Sequence, residues 1–145
     1  MRYCYILIVI LLFSCDAKKE SEEKKFDYLG QETPGKIPQV FGKGIVSVKG
    51  RFDIGLTISP DGKNIAYGVA HESLKEETCI YLMTFTNGKW NAPDKSFLSG
   101  NVNTFFPMFD LTGEQFYFAK SMDESETDLW VAEYSNAVAT NPQRL

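Results

Sequence analysis

Apolar and polar positions along the chain are organised around Leu56-Thr57-Ile58-Ser59-Pro60-Asp61-Gly62-Lys63-Asn64-Ile65-Ala66-Tyr67. Leu56, Thr57 and Ile58 on one side, and Ile65, Ala66 and Tyr67 on the other, are strand-forming arms. Between them Ser59 starts a type I turn, Pro60 presets φ for its second position and Asp61 suits the third. Gly62 accepts the left-handed conformation that closes a bulged hairpin. The same unit returns as Met108-Phe109-Asp110-Leu111-Thr112-Gly113-Glu114-Gln115-Phe116-Tyr117-Phe118.

The correspondence continues past the hairpins. Thr78-Cys79-Ile80-Tyr81-Leu82 aligns with Thr127-Asp128-Leu129-Trp130-Val131, Asn87 with Asn136, and Pro93 with Pro142. The offset is 51 residues at Gly62 and Gly113 and 49 afterwards, so the loop between the second and third strands is two residues shorter in the second copy. A period near fifty built from about four strands belongs to propeller blades rather than helical solenoids. The pattern predicts strands at 54–59, 64–69 and 79–85 with a weak fourth at 89–92, then at 104–110, 115–120 and 128–134 with a frayed end past Thr140. Asn87-Gly88 reads as a two-residue hairpin turn. Ile80-Tyr81-Leu82-Met83 and Leu129-Trp130-Val131-Ala132 are apolar without alternation, which predicts sheets covered on both faces. The fold class expected is all-β, with about two four-stranded antiparallel blades at 52–95 and 103–145.

The Ser-Pro-Asp-Gly hairpin, the Ile-Tyr and Leu-Trp strands that follow the two hairpins, and Trp90 shortly before Pro93 resemble the TolB-like, WD-repeat-like propeller repeat. Tyr28-Leu29-Gly30-Gln31 through Gly44-Ile45-Val46-Ser47 resembles the lead-in of envelope lipoproteins that carry such propellers. The resemblance spans residues 28–145 and implies a β-propeller fold; it says little of activity, because propellers serve many functions. Closure takes about four to eight blades. Two blades therefore imply the first part of a larger propeller or, as the alternative, a two-blade protein that closes by oligomerising.

Upstream of the repeat, Arg2 and the uncharged apolar run 3–13 have the form of a secretory signal, too short for a transmembrane helix, which takes roughly 20 apolar residues. The run ends in Leu12-Phe13-Ser14-Cys15, which resembles the lipobox of bacterial lipoproteins. That resemblance implies cleavage after residue 14, a diacylglyceryl group on the Cys15 sulfur and acylation of its new amine. Two or more acyl chains make a stable anchor. Residues 16–25 balance four lysines against Asp16, Glu20, Glu22 and Glu23 with no apolar side chain larger than alanine, the composition of a solvated tether. Signal 1–14, anchored tether 15–27 and partial propeller 28–145 complete the expected organisation, with the cell envelope as address and the outer membrane preferred to the inner. Gly30, Pro34, Gly35, Pro38, Gly42 and Gly44 make the lead-in extended and turning, with a short strand expected at 45–48.

Composition narrows the chemistry. The chain has 145 residues, 43% hydrophobic and 14% aromatic, enough for a core in one ordinary domain. Its net charge of −4, with Lys and Arg scattered, is not a nucleic-acid footprint. Of Cys4, Cys15 and Cys79 two lie in the leader, which excludes a disulfide framework; Cys79 reads as a small packing residue. His71 is the only histidine, so this chain builds neither a His-rich metal site nor a Ser-His-Asp triad. The run Asp123-Glu124-Ser125-Glu126-Thr127-Asp128 lacks the spacing of a calcium loop and reads as solvated charge. Trp90, Trp130, Phe105 and Phe106 read as blade core. No catalytic residue, metal or cofactor is assigned.

Two functions fit. One is a lipid-anchored envelope module that presents propeller loops to proteins or glycans; the other is the propeller portion of a larger glycan- or peptide-acting enzyme with its catalytic groups elsewhere. Connections one–two and three–four of a blade share one end, and here they are short: Pro60-Asp61-Gly62, Asn87-Gly88 and the turn ending in Gly113. The opposite end carries the longer loops 70–78, 94–103 and 121–127, where binding residues usually lie. The interaction face is therefore expected to be bordered by His71, Glu72, Asn101, Asn103, Asp123 and Glu124.

Overall fold

The computed structural model describes residues 29–71, 76–96, 98, 102–122 and 126–145. Its described residues form two antiparallel sheets and no helix. The first sheet comprises β1 (Arg51–Ile58), β2 (Asn64–His71) and β3 (Cys79–Thr86), with β4 (Lys89–Trp90) and β5 (Asp94–Lys95) both paired to β3. The second runs β6 (Asn103–Phe109), β7 (Gln115–Ser121), β8 (Thr127–Ser135) and β9 (Val138–Arg144) in that order.

The repeat extends to individual hydrogen bonds. Phe85 N donates to Lys63 O at 2.7 Å, and its counterpart Tyr134 N donates to Glu114 O at 2.7 Å. Ser96 N reaches Ile80 O at 2.8 Å, as Leu145 N reaches Leu129 O at 2.9 Å. Both first strands carry a bulge around a left-handed residue, Gly55 (φ 58°) in β1 and Phe106 (φ 52°) in β6. A Cβ on Gly55 would lie 3.3 Å from the Cα of Phe106, so the two bulges meet where β6 crosses the first sheet.

The sheets stack through one shared core. Ala66 and Ile80, with Leu82 beside them, face Phe109, Phe116, Phe118, Ala132 and Tyr134. Complete burial of a Phe side chain contributes about 1.5–3 kcal/mol, so this aromatic layer is the main tie between the sheets. Phe109 stacks edge-on against Phe116 and Tyr134, with centroids 5.0 and 4.8 Å away. Polar ties flank the layer: Phe109 N donates to Thr57 Oγ1 at 3.3 Å, and Ile80 N to the buried Thr104 Oγ1 at 3.4 Å.

The other face of the first sheet, Ile65, Tyr67, Val69 and Met83, is covered by the lead-in through Leu29, Phe41 and Val46. The strand expected at 45–48 is instead a tight turn. Gly42 O accepts from Ile45 N (2.9 Å), Val46 N (2.8 Å) and Ser47 N (3.1 Å), a geometry held by left-handed Gly42 and Gly44. The turn drives Val46 into the sheet, and Arg51 fastens it by donating to the carbonyls of Ile45 and Val46.

Two further expectations need correction. The fourth strand of the second sheet is not frayed: β9 pairs with β8 along its length, absorbing Asn141 (φ 51°) and Pro142 through a register shift between Val131 and Glu133. Phe106 is not core; its left-handed backbone turns the ring outward and leaves it 56% exposed, while Phe105 is half-buried. Cys79 is a buried free thiol, as its apolar neighbours imply.

Candidate functional site

The loops 59–63, 87–88, 110–114 and 136–137 emerge at one end of the stacked sheets because strand direction alternates in each. Each is closed by backbone geometry that its sequence dictates. In the first, Gly62 (φ 70°) lets its N–H return to Ser59 O at 2.8 Å; in its counterpart Gly113 (φ 78°) donates to Asp110 O at 3.3 Å. Asn87 (φ 54°) and Gly88 (φ 76°) form the two-residue turn that their identities predict. Asn136 (φ 52°) and Ala137 (φ 63°) make the same turn in the second sheet, with alanine where glycine is at ease.

Between these turns lies a cleft of about 540 Å³. Ser59, Pro60, Asp61, Lys63 and Asn64 line it from the first hairpin, Thr84, Phe85 and Thr86 from the end of β3, and Thr112, Gly113, Tyr134, Ser135, Asn136 and Ala137 from the second sheet. Hydroxyls, carboxamides, one carboxylate and one ammonium thus share a space edged by Phe85. The Tyr134 hydroxyl is buried and has no hydrogen-bond partner among the described residues. Burial, with the negative charge of Asp61 added to it, pushes its pKa up to about 12, so it stays a neutral donor.

Around the cleft the turn side chains are occupied. Ser59 Oγ donates to Asp61 Oδ1 at 2.6 Å and accepts from Asn64 N at 2.9 Å, while Lys63 N donates to Asp61 Oδ1 at 3.0 Å. Asp110 accepts from Thr112 Oγ1 at 2.6 Å, from Gly113 N at 2.7 Å and from Gln115 N at 3.1 Å. The Thr112 hydroxyl and these backbone donors lower the Asp110 carboxyl to about 2. These bonds hold the turn side chains in place beside the cleft.

The opposite end carries the face expected from loop length. His71 is the last residue of β2, and its Nε2 lies 3.2 Å from Glu76. Asn103 opens β6, where its Oδ1 accepts from Thr78 N at 2.8 Å beside a Thr104 N to Thr78 O bond of 2.8 Å. Asn103 therefore ties the second sheet to the loop before β3. Both residues flank that loop, whereas Glu72, Asn101, Asp123 and Glu124, like Cys15, lie outside the described residues. Among the described residues no group of three or more His, Cys, Asp or Glu side chains is placed to hold a metal ion.

Sequence reasoning passed over the cleft because each of its walls is short and ordinary. Thr84, Thr86, Tyr134, Ser135 and Asn136 come from the ends of third strands, and only stacking brings them to the hairpins. The available signal was the matched pair Asn87 and Asn136 at turns that must share an end with Gly62 and Gly113. No protein-family model matches the chain, and no curated protein matches it.

Proposed function

We propose that this chain is a lipid-anchored binding module of the bacterial cell envelope. In this reading acylated Cys15 holds it to the membrane, residues 16–27 are the tether, and the two sheets are blades of a partial TolB-like propeller that engages a protein or glycan partner. The observation that carries binding is the cleft between the sheets. Its hydroxyl and amide lining, the single carboxylate and the half-buried edge of Phe85 suit a polar, hydroxyl-rich ligand such as an envelope glycan, which is recognised by such groups beside an apolar platform. Among the described residues, this cleft is what supports binding at the short-turn end.

Two measurements test the two halves of the reading. In a bacterial host the protein should partition into the detergent phase and take up a fatty-acid probe, and Cys15→Ala should abolish that labelling; unchanged labelling would defeat the anchor. For binding, purified protein is sedimented with isolated peptidoglycan sacculi. Thr86→Lys and Asn136→Lys should cut retention severalfold with the circular-dichroism spectrum intact, while His71→Glu and Asp123→Lys leave it unchanged. Loss confined to the second pair would move the partner to the long-loop end.

A further inference from the structure

The cleft does not end at the Asn136-Ala137 turn. Beyond that turn lies a second hollow of about 340 Å³, and Thr84, Asn136 and Ala137 line both spaces. The two therefore share a wall, and they follow one line along β3. Leu82, Thr84 and Thr86 alternate on the face of β3 that also carries Ile80 into the core. Leu82 lines the hollow, Thr86 lines the cleft, and Thr84 lines both. At about 3.3 Å per residue, Leu82 to Thr86 covers about 13 Å. That is a groove, longer than a single sugar ring.

The two halves of the groove are lined alike. In the cleft Asp61 and the hydroxyls lie near the edge of Phe85; in the hollow Asp94 and Asn91 lie near Leu82 and the exposed Val138. Asp94 pairs with Leu82 across the ladder, so its carboxylate shares the Leu82 face. Lys95 pairs with Tyr81 and turns its side chain to the other face, toward Cys79. Each half thus sets one carboxylate and neutral polar groups against a small apolar surface. Two such halves in line suit a chain of like units better than one compact molecule.

A third observation points to a ligand at the hairpin end. Tyr134 lines the cleft at 7% exposure, and its buried hydroxyl has no hydrogen-bond partner among the described residues. Such a group is destabilising until something supplies the bond. Asp61 acts on its ionisation, which sets the hydroxyl near the first hairpin.

We propose that cleft and hollow form one groove that takes a linear glycan strand lengthwise, with the Tyr134 hydroxyl donating to a sugar oxygen at the hairpin end and the hollow holding a following sugar. It rests on the reading that the cleft binds an envelope glycan, and adds that the ligand is a chain of sugars, neither a single unit nor its peptide.

The test uses the full chain with peptide-free glycan strands, released from sacculi by an amidase and sized into disaccharides and longer strands. By microscale thermophoresis the longer strands should bind severalfold more tightly than the disaccharides. Val138→Lys, at an exposed position beside the hollow, should bring the strands down to the disaccharide affinity and leave disaccharide binding unchanged. Tyr134→Phe removes only the hydroxyl; it should weaken both ligands severalfold without lowering the melting temperature. Equal affinity for disaccharides and strands, strands indifferent to Val138→Lys, or full affinity in Tyr134→Phe would each overturn the proposal. So would retention on intact sacculi with no binding of peptide-free strands, because the peptide would then be the ligand while the chain remained an envelope binding module. Failure to bind sacculi and strands alike would sink the glycan reading itself, and the groove with it.

Discussion

The hairpin at 59–64 and its repeat at 110–115 solve one problem with the chemistry exchanged. In both, the side chain at the first position and that two residues later share a 2.6 Å hydrogen bond. In both, the first of these also accepts the amide five residues on, Asn64 N at 2.9 Å or Gln115 N at 3.1 Å, while the later one accepts the amide two residues after it. The first hairpin puts the hydroxyl first and the carboxylate third, Ser59 then Asp61. The second puts the carboxylate first and the hydroxyl third, Asp110 then Thr112. What the turn requires is one acceptor with a donor beside it; which position carries the charge is free. The network, more than the Ser-Pro-Asp-Gly wording, is therefore the unit that repeats.

The sheets differ more sharply at their second strands, where Gly68 stands opposite Ala119 in the repeat. A Cβ on Gly68 would lie 2.7 Å from the carbonyl oxygen of Ile54, its β1 partner beside the bulge, and 3.6 Å from the Cα of Phe105, where β6 crosses the first sheet. Ala119 is buried too, but on the face turned away from the first sheet. Gly68→Ala should accordingly cost about 2–3 kcal/mol, in the range of core overpacking, and Ala119→Gly less than 1 kcal/mol or so. Urea melts of the two variants measure both. Comparable losses would mean that the β1 bulge yields freely to a Cβ at Gly68.

At the hairpin glycines the two copies should differ by degree. Gly62→Val should cost on the order of 1–2 kcal/mol or more, from a β-branched residue held at positive φ. Gly113→Val should cost more, because a Cβ at Gly113 would also sit 3.2 Å from Pro60 Cδ on the facing hairpin. An unchanged unfolding midpoint for Gly62→Val would rule out the bulged hairpin; equal costs would show that Pro60 yields freely.

Strand order, the turns and the inter-copy offsets were all legible from local chemistry, since Gly62, Asn87-Gly88 and Gly113 each announce a specific backbone conformation. Features that depend on one segment crossing another were not. Ile45-Val46-Ser47-Val48 has the composition of a strand, yet Gly42 and Gly44 wind it so that Val46 reaches a face otherwise left bare. Thr140-Asn141-Pro142 reads as the end of order, but pairing with β8 holds it. The cleft shared this fate: its polar groups are scattered through the chain and converge only because two sheets stack.

The carboxylate of Asp110 predicts an acid response at the second hairpin. Asp110 titrates at about 2 in the fold, below the ordinary value of 3.8, so its ionised form is the one the turn stabilises. That contribution is complete above the unfolded value and is lost as pH falls from about 4 through about 2. Thermal melts across this window should show a steeper loss for the parent chain than for Asp110→Asn, whose side chain cannot protonate. Parallel curves would mean that the carboxylate contributes nothing beyond what the amide supplies.

The smallest expected effect lies at the last matched pair. Asn87-Gly88 and Asn136-Ala137 make the same left-handed turn, but Ala137 holds φ 63° with a Cβ that Gly88 lacks at φ 76°. A left-handed alanine costs roughly 1–2 kcal/mol relative to the right-handed region. Glycine removes that strain and returns about 0.4–1 kcal/mol of it as extra freedom in the unfolded chain. Ala137→Gly should therefore raise stability by no more than about 1.5 kcal/mol, and the reciprocal Gly88→Ala should lower it by a similar amount. Because Ala137 borders the cleft, the same variant reports on function: sacculus retention should not change, since the substitution alters strain and leaves every polar group on the cleft wall in place. A stabilised protein with lost retention would show that the Ala137 methyl itself touches the ligand.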